Sequence, residues 1–547
     1  MLGSSGIKPT TSVHSISSGA GKEAAADAKL AAMGYAPELK RNLGMMTILG
    51  LSFSIIAAPF GLSTAFSIAL TCGGPITILY GWVAVSLISL CIAASLAEIC
   101  SQFPSSGGVY VWAAFISTPK WAPVASWIVG WVSLVGNWTL CLSINFGGAQ
   151  LIMAGISIFR DDLWAPEPYQ TILTFWACMV VSAVINAFGV KGRYLDALNR
   201  ASFYWTGATC LIIMITVLVM AKDGRRSAEF VFSGWENTSG WPDGWAFFVG
   251  LLQAAYTLTG YGTVAALCEE VENPEREVPR AMVWSVVAAS LTGLAYLIPI
   301  LFILTPDSSD LLSAAAGQPL AVLFHISTGS KGGGFALLFL LLGVFAFAGV
   351  GSLTVALRCT WAFARDGAIP GSKHWSKVHE GLGLPLNSLL LSTVVVSLLG
   401  LIYFGSTAAF SAFTGVATIC LSISYGVPIA IALLRRRVML VGAPFSLGER
   451  LGYLINTITF VWITLATVLF CMPTTREVTS QTMNYASVVF AFFFALSAFW
   501  WVVWGRLHYV GPLGAVEERS GEEDRIHPSP SDGEDRKEKE VERKQVA

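Results

Sequence analysis

Residues 247–282 read FFVGLLQAAYTLTGYGTVAALCEEVENPEREVPRAM. Through Leu267 the stretch is apolar, broken only by Gln253, two threonines, Thr257 and Thr259, and small residues such as Gly260 and Gly262; five carboxylates and two arginines then follow within fifteen residues. The next segment, VWSVVAASLTGLAYLIPILFIL (283–304), is apolar again. Crossing about 30 Å of hydrocarbon takes roughly 20 apolar residues coiled as a helix, because a lipid-facing backbone group has no other partner. The stretch therefore reads as two membrane spans joined by a charged link, with Pro274 and Pro279 stopping the helix and the charges in water. The same count along the chain gives twelve runs. They lie at about 45–70, 75–98, 124–158, 170–190, 201–221, 244–267, 282–304, 335–364, 388–405, 408–434, 453–472 and 484–505. The expected fold class is an all-α integral membrane protein.

Composition agrees. Of 547 residues 54% are hydrophobic and 12% charged, against about 25% charged in soluble domains. A net charge of −1 argues against nucleic acid as a partner. Most of the ten cysteines lie inside apolar runs, without metal-site or disulfide spacing, and read as packing residues. The N-terminus has no apolar stretch of the signal-peptide kind. Residues 1–38 and 512–547 are polar or charged and read as disordered tails around a transporter domain at 39–511. Lys and Arg at the loops and span ends divide unevenly. Seventeen fall on the side of Lys40, Arg41 and the Arg435–Arg437 run, and six (Arg160, Lys222, Arg225, Arg226, Lys331, Arg476) on the other. Both termini are thus expected in the cytosol, and the sequon at Asn237 falls in an outer loop as a glycosylation candidate.

Thr-Leu-Thr-Gly-Tyr-Gly serves no structural need at the middle of a span. The first run offers a parallel in SIIAAPFGLSTAF (54–66), with Pro59 and Gly61 at mid-membrane. Proline removes a backbone donor and glycine tolerates non-helical dihedrals, so both segments are expected to unwind. Interruptions at matching places in spans one and six suit two inverted five-helix repeats, at about 45–221 and 244–434, with extra helices at 453–505; such paired breaks point to a transporter's midplane site.

Three motifs carry a resemblance: GYGTVAALCEEVENPEREVPRAM (260–282), AEICSQFPSSGGVYVWAA (97–114) and RCTWAFARDGAIPGSKHWSKV (358–378). Together they resemble the amino acid, polyamine and organocation permeases, in particular the amino acid/choline branch with its fungal permeases for 4-aminobutyrate and choline. The likeness runs from about Leu39 to Trp504. It implies the leucine-transporter-like 5+5 fold plus two helices, proton coupling rather than a bound cofactor, and a plasma-membrane or internal-membrane location. One departure touches the substrate: several 4-aminobutyrate members carry an aspartate and a histidine where this chain has Gly262 and Ala266 or Leu267.

No Lys, Asp or Glu lies in the middle of spans one, three, six, eight or ten. A charged ligand must then be held by backbone. Free N–H groups at the half-helix around Gly61, Leu62 and Ser63, beside Pro59, suit a carboxylate. Carbonyls freed around Tyr256, Thr257 and Thr259, next to Gly260, suit an ammonium. That division fits a zwitterion such as 4-aminobutyrate or another amino acid. A choline-like amine, or another organic cation such as thiamine or a polyamine, would instead use the faces of Trp138, Tyr256, Tyr261 or Phe347. For coupling, Glu98 reads either as a proton carrier or as the partner of a loop arginine, Arg358 as a deep cation or a snorkelling one, and Ser352 and Thr354 as sodium ligands or helix-packing hydroxyls. A membrane enzyme lacks support, since of six histidines only His374 and His379 lie close together. A non-transporting sensor is the other alternative, disfavoured by the short tails.

Overall fold

The computed structural model describes residues 24–512 apart from 25, 37–40, 42, 161–163, 190–193, 222–224, 306–310, 313, 380, 382, 406–408, 480–481 and 510. The expected C-terminal tail beyond 512 lies outside the described residues. Among the described residues eleven helices are long and apolar enough to cross a membrane. They are span 1 (Met45–Thr64), span 2 (Gly74–Gln102), span 3 (Ala122–Ser157), span 4 (Pro168–Phe188), span 5 (Ala197–Met220), span 7 (Pro274–Phe302), span 8 (Lys331–Arg365), span 9 (Leu386–Phe404), span 10 (Phe410–Leu434), span 11 (Glu449–Leu469) and span 12 (Ala486–His508). The remaining apolar run, span 6, is present in pieces: helices Asp243–Gly250 and Leu252–Thr257, then a 3-10 helix Tyr261–Glu270. The long link read between spans six and seven is shorter than expected, because Pro274 starts span 7 at a first-turn position where its missing N–H costs nothing.

Span 3 is packed between spans 8 and 10, while span 7 lies along spans 1 and 2. Small residues permit the close approaches. A Cβ on Gly293 of span 7 would stand 2.1 Å from the Trp82 ring of span 2, and one on Gly130 of span 3 would stand 2.2 Å from Phe363 of span 8. Lipid offers apolar side chains no reason to leave it, so such van der Waals fits are what bring spans together. Spans 11 and 12 pack on span 10, outside the ring that contains the interrupted helices. Two residues of β-strand, Cys72–Gly73, pair antiparallel with Glu236–Asn237 and tie the segment after span 1 to the one before span 6.

The N-terminal segment differs from the sequence reading. Residues 26–32 are helical, and Leu30, Met33 and Tyr35 are buried. Three apolar anchors in a short stretch are too few to register as a span, yet enough to seat about two helical turns.

Candidate functional site

Span 1 breaks at Ala57, which adopts a left-handed backbone (φ 42°, ψ 52°). The first half, Met45–Ile56, ends there, and a seven-residue half-helix, Ala58–Thr64, begins with Pro59 in its first turn. The break thus lies before Pro59 and Gly61, and the N–H assignment changes with it. The amides of Phe60 and Gly61 both donate to the Ala57 carbonyl, at 2.8 and 3.0 Å. Leu62 and Ser63 lie deeper in the helical turn, and the Ser63 hydroxyl bonds the Pro59 carbonyl and the Tyr296 hydroxyl. Pro59, with no N–H to satisfy, suits this first-turn position.

Span 6 loosens from Leu258 onward. Gly260 has φ 107°, a conformation glycine alone adopts without strain, and it caps the 3-10 stretch. Ten residues is long for that coil, whose longer runs mark hinges. Thr259 N–H donates to the Tyr256 carbonyl at 3.1 Å, so this expected acceptor is occupied. Thr257, Leu258 and Thr259 lie where the α-helical ladder gives way to the turn before the 3-10 stretch. Those three residues are buried.

The two interruptions face each other. A Cβ on Gly61 would come within 2.8 Å of Thr257 Cγ2, and one on Gly260 within 3.0 Å of Ile55 Cγ2. Gln253 crosses between them, its Nε2 donating to the Leu62 carbonyl at 2.9 Å. Tyr256 reaches span 3 through its hydroxyl, which donates to Ser143 Oγ at 3.0 Å. Tyr261 packs beside Tyr425 of span 10, ring centroids 5.7 Å apart. Gly262 sits under the same Tyr425, where a Cβ would be 2.7 Å from the ring, so this fold has no room for an aspartate at that position.

Other expected residues point elsewhere. Trp138 donates through Nε1 to Thr360 Oγ1 and Ser392 Oγ, toward spans 8 and 9 rather than the breaks. Phe347 is only half-buried. The aromatic of span 8 beside the site is Phe345, stacked on Phe60 with centroids 5.6 Å apart, and the reading missed both. Gly148 was the available signal, since a Cβ there would stand 2.1 Å from the Phe345 ring. Thr354 turns to span 4, donating to Asn186 Oδ1, and the Ser352 hydroxyl donates to the Gly349 carbonyl of its own helix. Asn237 donates both amide hydrogens, to the Trp241 carbonyl and to Asp243 Oδ1, so a glycan, which replaces one of them, would cost one bond.

The charges that follow span 6 are not all in water. Glu270 holds Arg358 through Nε and through Nη2 at 3.0 Å, and Glu269 holds Arg365 at 3.0 and 3.1 Å. The two arginines lie seven residues apart, two turns of span 8. Burial of such ions is tolerated only with their partners in place. Glu98, at the end of span 2, is likewise buried and accepts from Arg437 Nη2 at 2.7 Å and the Leu447 amide at 3.0 Å, in the arrangement of a structural pair with a loop arginine. Asp366, next to Arg365, accepts from the Tyr35 hydroxyl at 2.9 Å, and burial raises its carboxyl above the ordinary value.

Comparison with known proteins agrees with this architecture. The family model described as amino acid permease matches residues 43–494. "Amino-acid permease BAT1" of Arabidopsis thaliana is 31% identical over 502 residues, covering 89% of this chain and 96% of that protein. "Polyamine transporter TPO5" of Saccharomyces cerevisiae is 33% identical, covering 91% and 79%, and the "Choline transporter" of the same yeast is 29% identical, covering 89% and 84%.

Proposed function

The chain belongs to the amino acid permease family, and on that premise we propose that it moves a small amino-acid-like zwitterion across the membrane by alternating access, at a site between the interruptions of spans 1 and 6. It is a multi-pass membrane permease for amino acids or organic cations, and not an enzyme. The observation that carries the zwitterion reading is the opposition of two helix interruptions: the half-helix that starts after the left-handed Ala57 on one side, and the Leu258–Gly260 turn on the other, with Gly61 against Thr257. A carboxylate is favoured near the positive end of a half-helix and an ammonium near free carbonyls. Neither role needs a charged side chain, in keeping with the sequence.

An organic cation is the second reading. It is favoured by the Phe60–Phe345 pair beside the break and by the likeness to a choline transporter. Proton coupling is proposed on the likeness to the permease family. The Lys and Arg distribution supports cytosolic termini, and the plasma membrane is the proposed location.

Uptake by proteoliposomes, with competition by α-amino acids, 4-aminobutyrate, choline, thiamine and polyamines, tests the assignment. Saturable uptake of an amino acid that choline leaves unaffected is expected. Potent competition by choline with indifference to every amino acid would replace the first reading by the second.

A further inference from the structure

The inner ends of spans 6 and 8 are joined by the two glutamate–arginine pairs, and the N-terminal segment lies across them. Tyr35 donates to Asp366 Oδ2 at 2.9 Å, and its ring lies 4.3 Å from the Arg365 guanidinium, which is 4.6 Å from the Trp361 ring on its other contact. Lys29 reaches Glu275 of span 7 at 3.0 Å and the Ser101 carbonyl of span 2 at 3.1 Å. Arg41 holds Asp27 at 2.8 Å and donates to the Val271 carbonyl at 2.9 Å, at the end of the 3-10 stretch. Leu30 and Met33 insert from one face of the short helix, and its other face, with Ala28, Ala31 and Ala32, is exposed.

One short segment thus bridges spans 2 and 7 to the end of span 8. Its fit is incomplete: a cavity of about 230 Å³ separates it from Pro104 and the start of span 7 at Asn273–Arg276. An element anchored by three apolar side chains and a few polar links, with a void beneath it, is docked on the helix ends rather than fused into them. Parting the inner ends of spans 6 and 8 breaks the Glu269–Arg365 pair, and Arg365 is covered by the Tyr35 ring. Movement of Arg365 away from Glu269 therefore disturbs the Tyr35 contact as well.

We propose that residues 26–36 form an inner strap that keeps the path between spans 6 and 8 closed, and that the strap must leave its seat on Arg365 and Asp366 before the inner end opens. Cys268 reports this directly. It is buried in the 3-10 stretch, its carbonyl accepts from Arg41, and its sulfur lies 3.8 Å from that of Cys100.

The test uses full-length protein in nanodiscs, with Cys268 kept as the sole cysteine and a membrane-impermeant thiol reagent as probe. The strap variant Leu30→Ala/Tyr35→Ala is expected to label at least tenfold faster than its parent. A matching pair that keeps only Cys420 of span 10 should stay unlabelled in both, which separates strap release from unfolding. A second arm joins Tyr35→Cys to Asp366→Cys, in a cysteine-free background, through a reducible bis-thiol-reactive linker. The linked protein, reconstituted in proteoliposomes, should lose uptake and regain it on reduction. Equal labelling of Cys268 in parent and strap variant, or undiminished uptake by the linked protein, overturns the proposal. The labelling arm needs no ligand, so it stands even if the zwitterion reading fails.

Discussion

Replacing Gly61 by alanine adds one methyl group at the point where the two interruptions meet. That methyl would lie 2.8 Å from Thr257 Cγ2, 2.9 Å from Oγ1 and 3.1 Å from Cβ. The first two distances are shorter than carbon and oxygen tolerate, and the threonine cannot rotate away freely, because Oγ1 is bonded to the Gln253 carbonyl at 2.8 Å and both branches are in contact. Overpacking of this kind costs about 1–3 kcal/mol. Helix propensity returns up to about 1 kcal/mol for Gly→Ala, so the fold should survive while the gap between spans 1 and 6 widens. If the ligand is held across that gap, the strain appears in its binding, and about 1–3 kcal/mol is a loss of roughly 5- to 150-fold. Thr257→Ala removes Cγ2 and Oγ1 together and leaves only the 3.1 Å contact. The cycle of Gly61→Ala, Thr257→Ala and the double variant should therefore show a coupling of at least about 1 kcal/mol, with the double variant recovering part of what Gly61→Ala loses. Initial uptake at subsaturating ligand, normalised to protein reconstituted, is the assay. Unimpaired uptake by Gly61→Ala, or additive losses in the double variant, would refute the claim that these two positions share one site.

Three further outcomes are expected. Glu269→Gln leaves the Arg365 guanidinium without its carboxylate and should lower stability by about 3 kcal/mol, read by thermal unfolding in detergent; a loss under about 0.5 kcal/mol would place that pair in water. For Asp366, burial lifts the carboxyl above its ordinary 3.8, with Arg365 and the hydroxyls of Tyr110 and Tyr35 opposing and Glu269 reinforcing. The folded state therefore holds the proton more tightly, and the resulting stability is fully present below 3.8 and lost as pH rises through the raised value. Asp366→Asn should flatten the fall in unfolding temperature as pH rises above 3.8, and an unchanged slope would contradict the burial argument. Orientation is testable at exposed loop positions: Glu477→Cys should react with an impermeant thiol reagent on intact cells and Lys377→Cys only after permeabilisation, and reaction of both on intact cells would reverse or void the assignment.

The spans were legible because hydrocarbon imposes a length and forbids unpaired backbone, which leaves long apolar runs with few alternatives. Pro59, Gly61 and Gly260 disclosed that spans 1 and 6 are interrupted. They did not disclose where, because the break in span 1 falls on Ala57, a residue whose identity carries no turn signal. Side-chain direction was beyond reach for the same reason. Trp138, Phe345 and Phe347 look alike in an apolar run, and only the neighbouring helices decide which one meets the site. The pairing of Glu269 with Arg365 joins residues almost a hundred positions apart. In sequence those carboxylates are indistinguishable from Glu272, Glu275 and Glu277, which follow in the same charged stretch. The inner strap was hidden by its polar surroundings, since Leu30, Met33 and Tyr35 are too sparse to mark a helix that only docking stabilises.

The central claim is that backbone at two broken helices holds both ends of a zwitterion, and ligand competition in proteoliposomes tests it most directly. An amino acid that competes well should lose at least tenfold in potency on methyl esterification, since a charge-assisted hydrogen bond contributes about 1.5–3 kcal/mol and about 1.4 kcal/mol is a factor of ten. Equal potency of the ester and the free acid would contradict the account, because a carboxylate would then have no part in recognition.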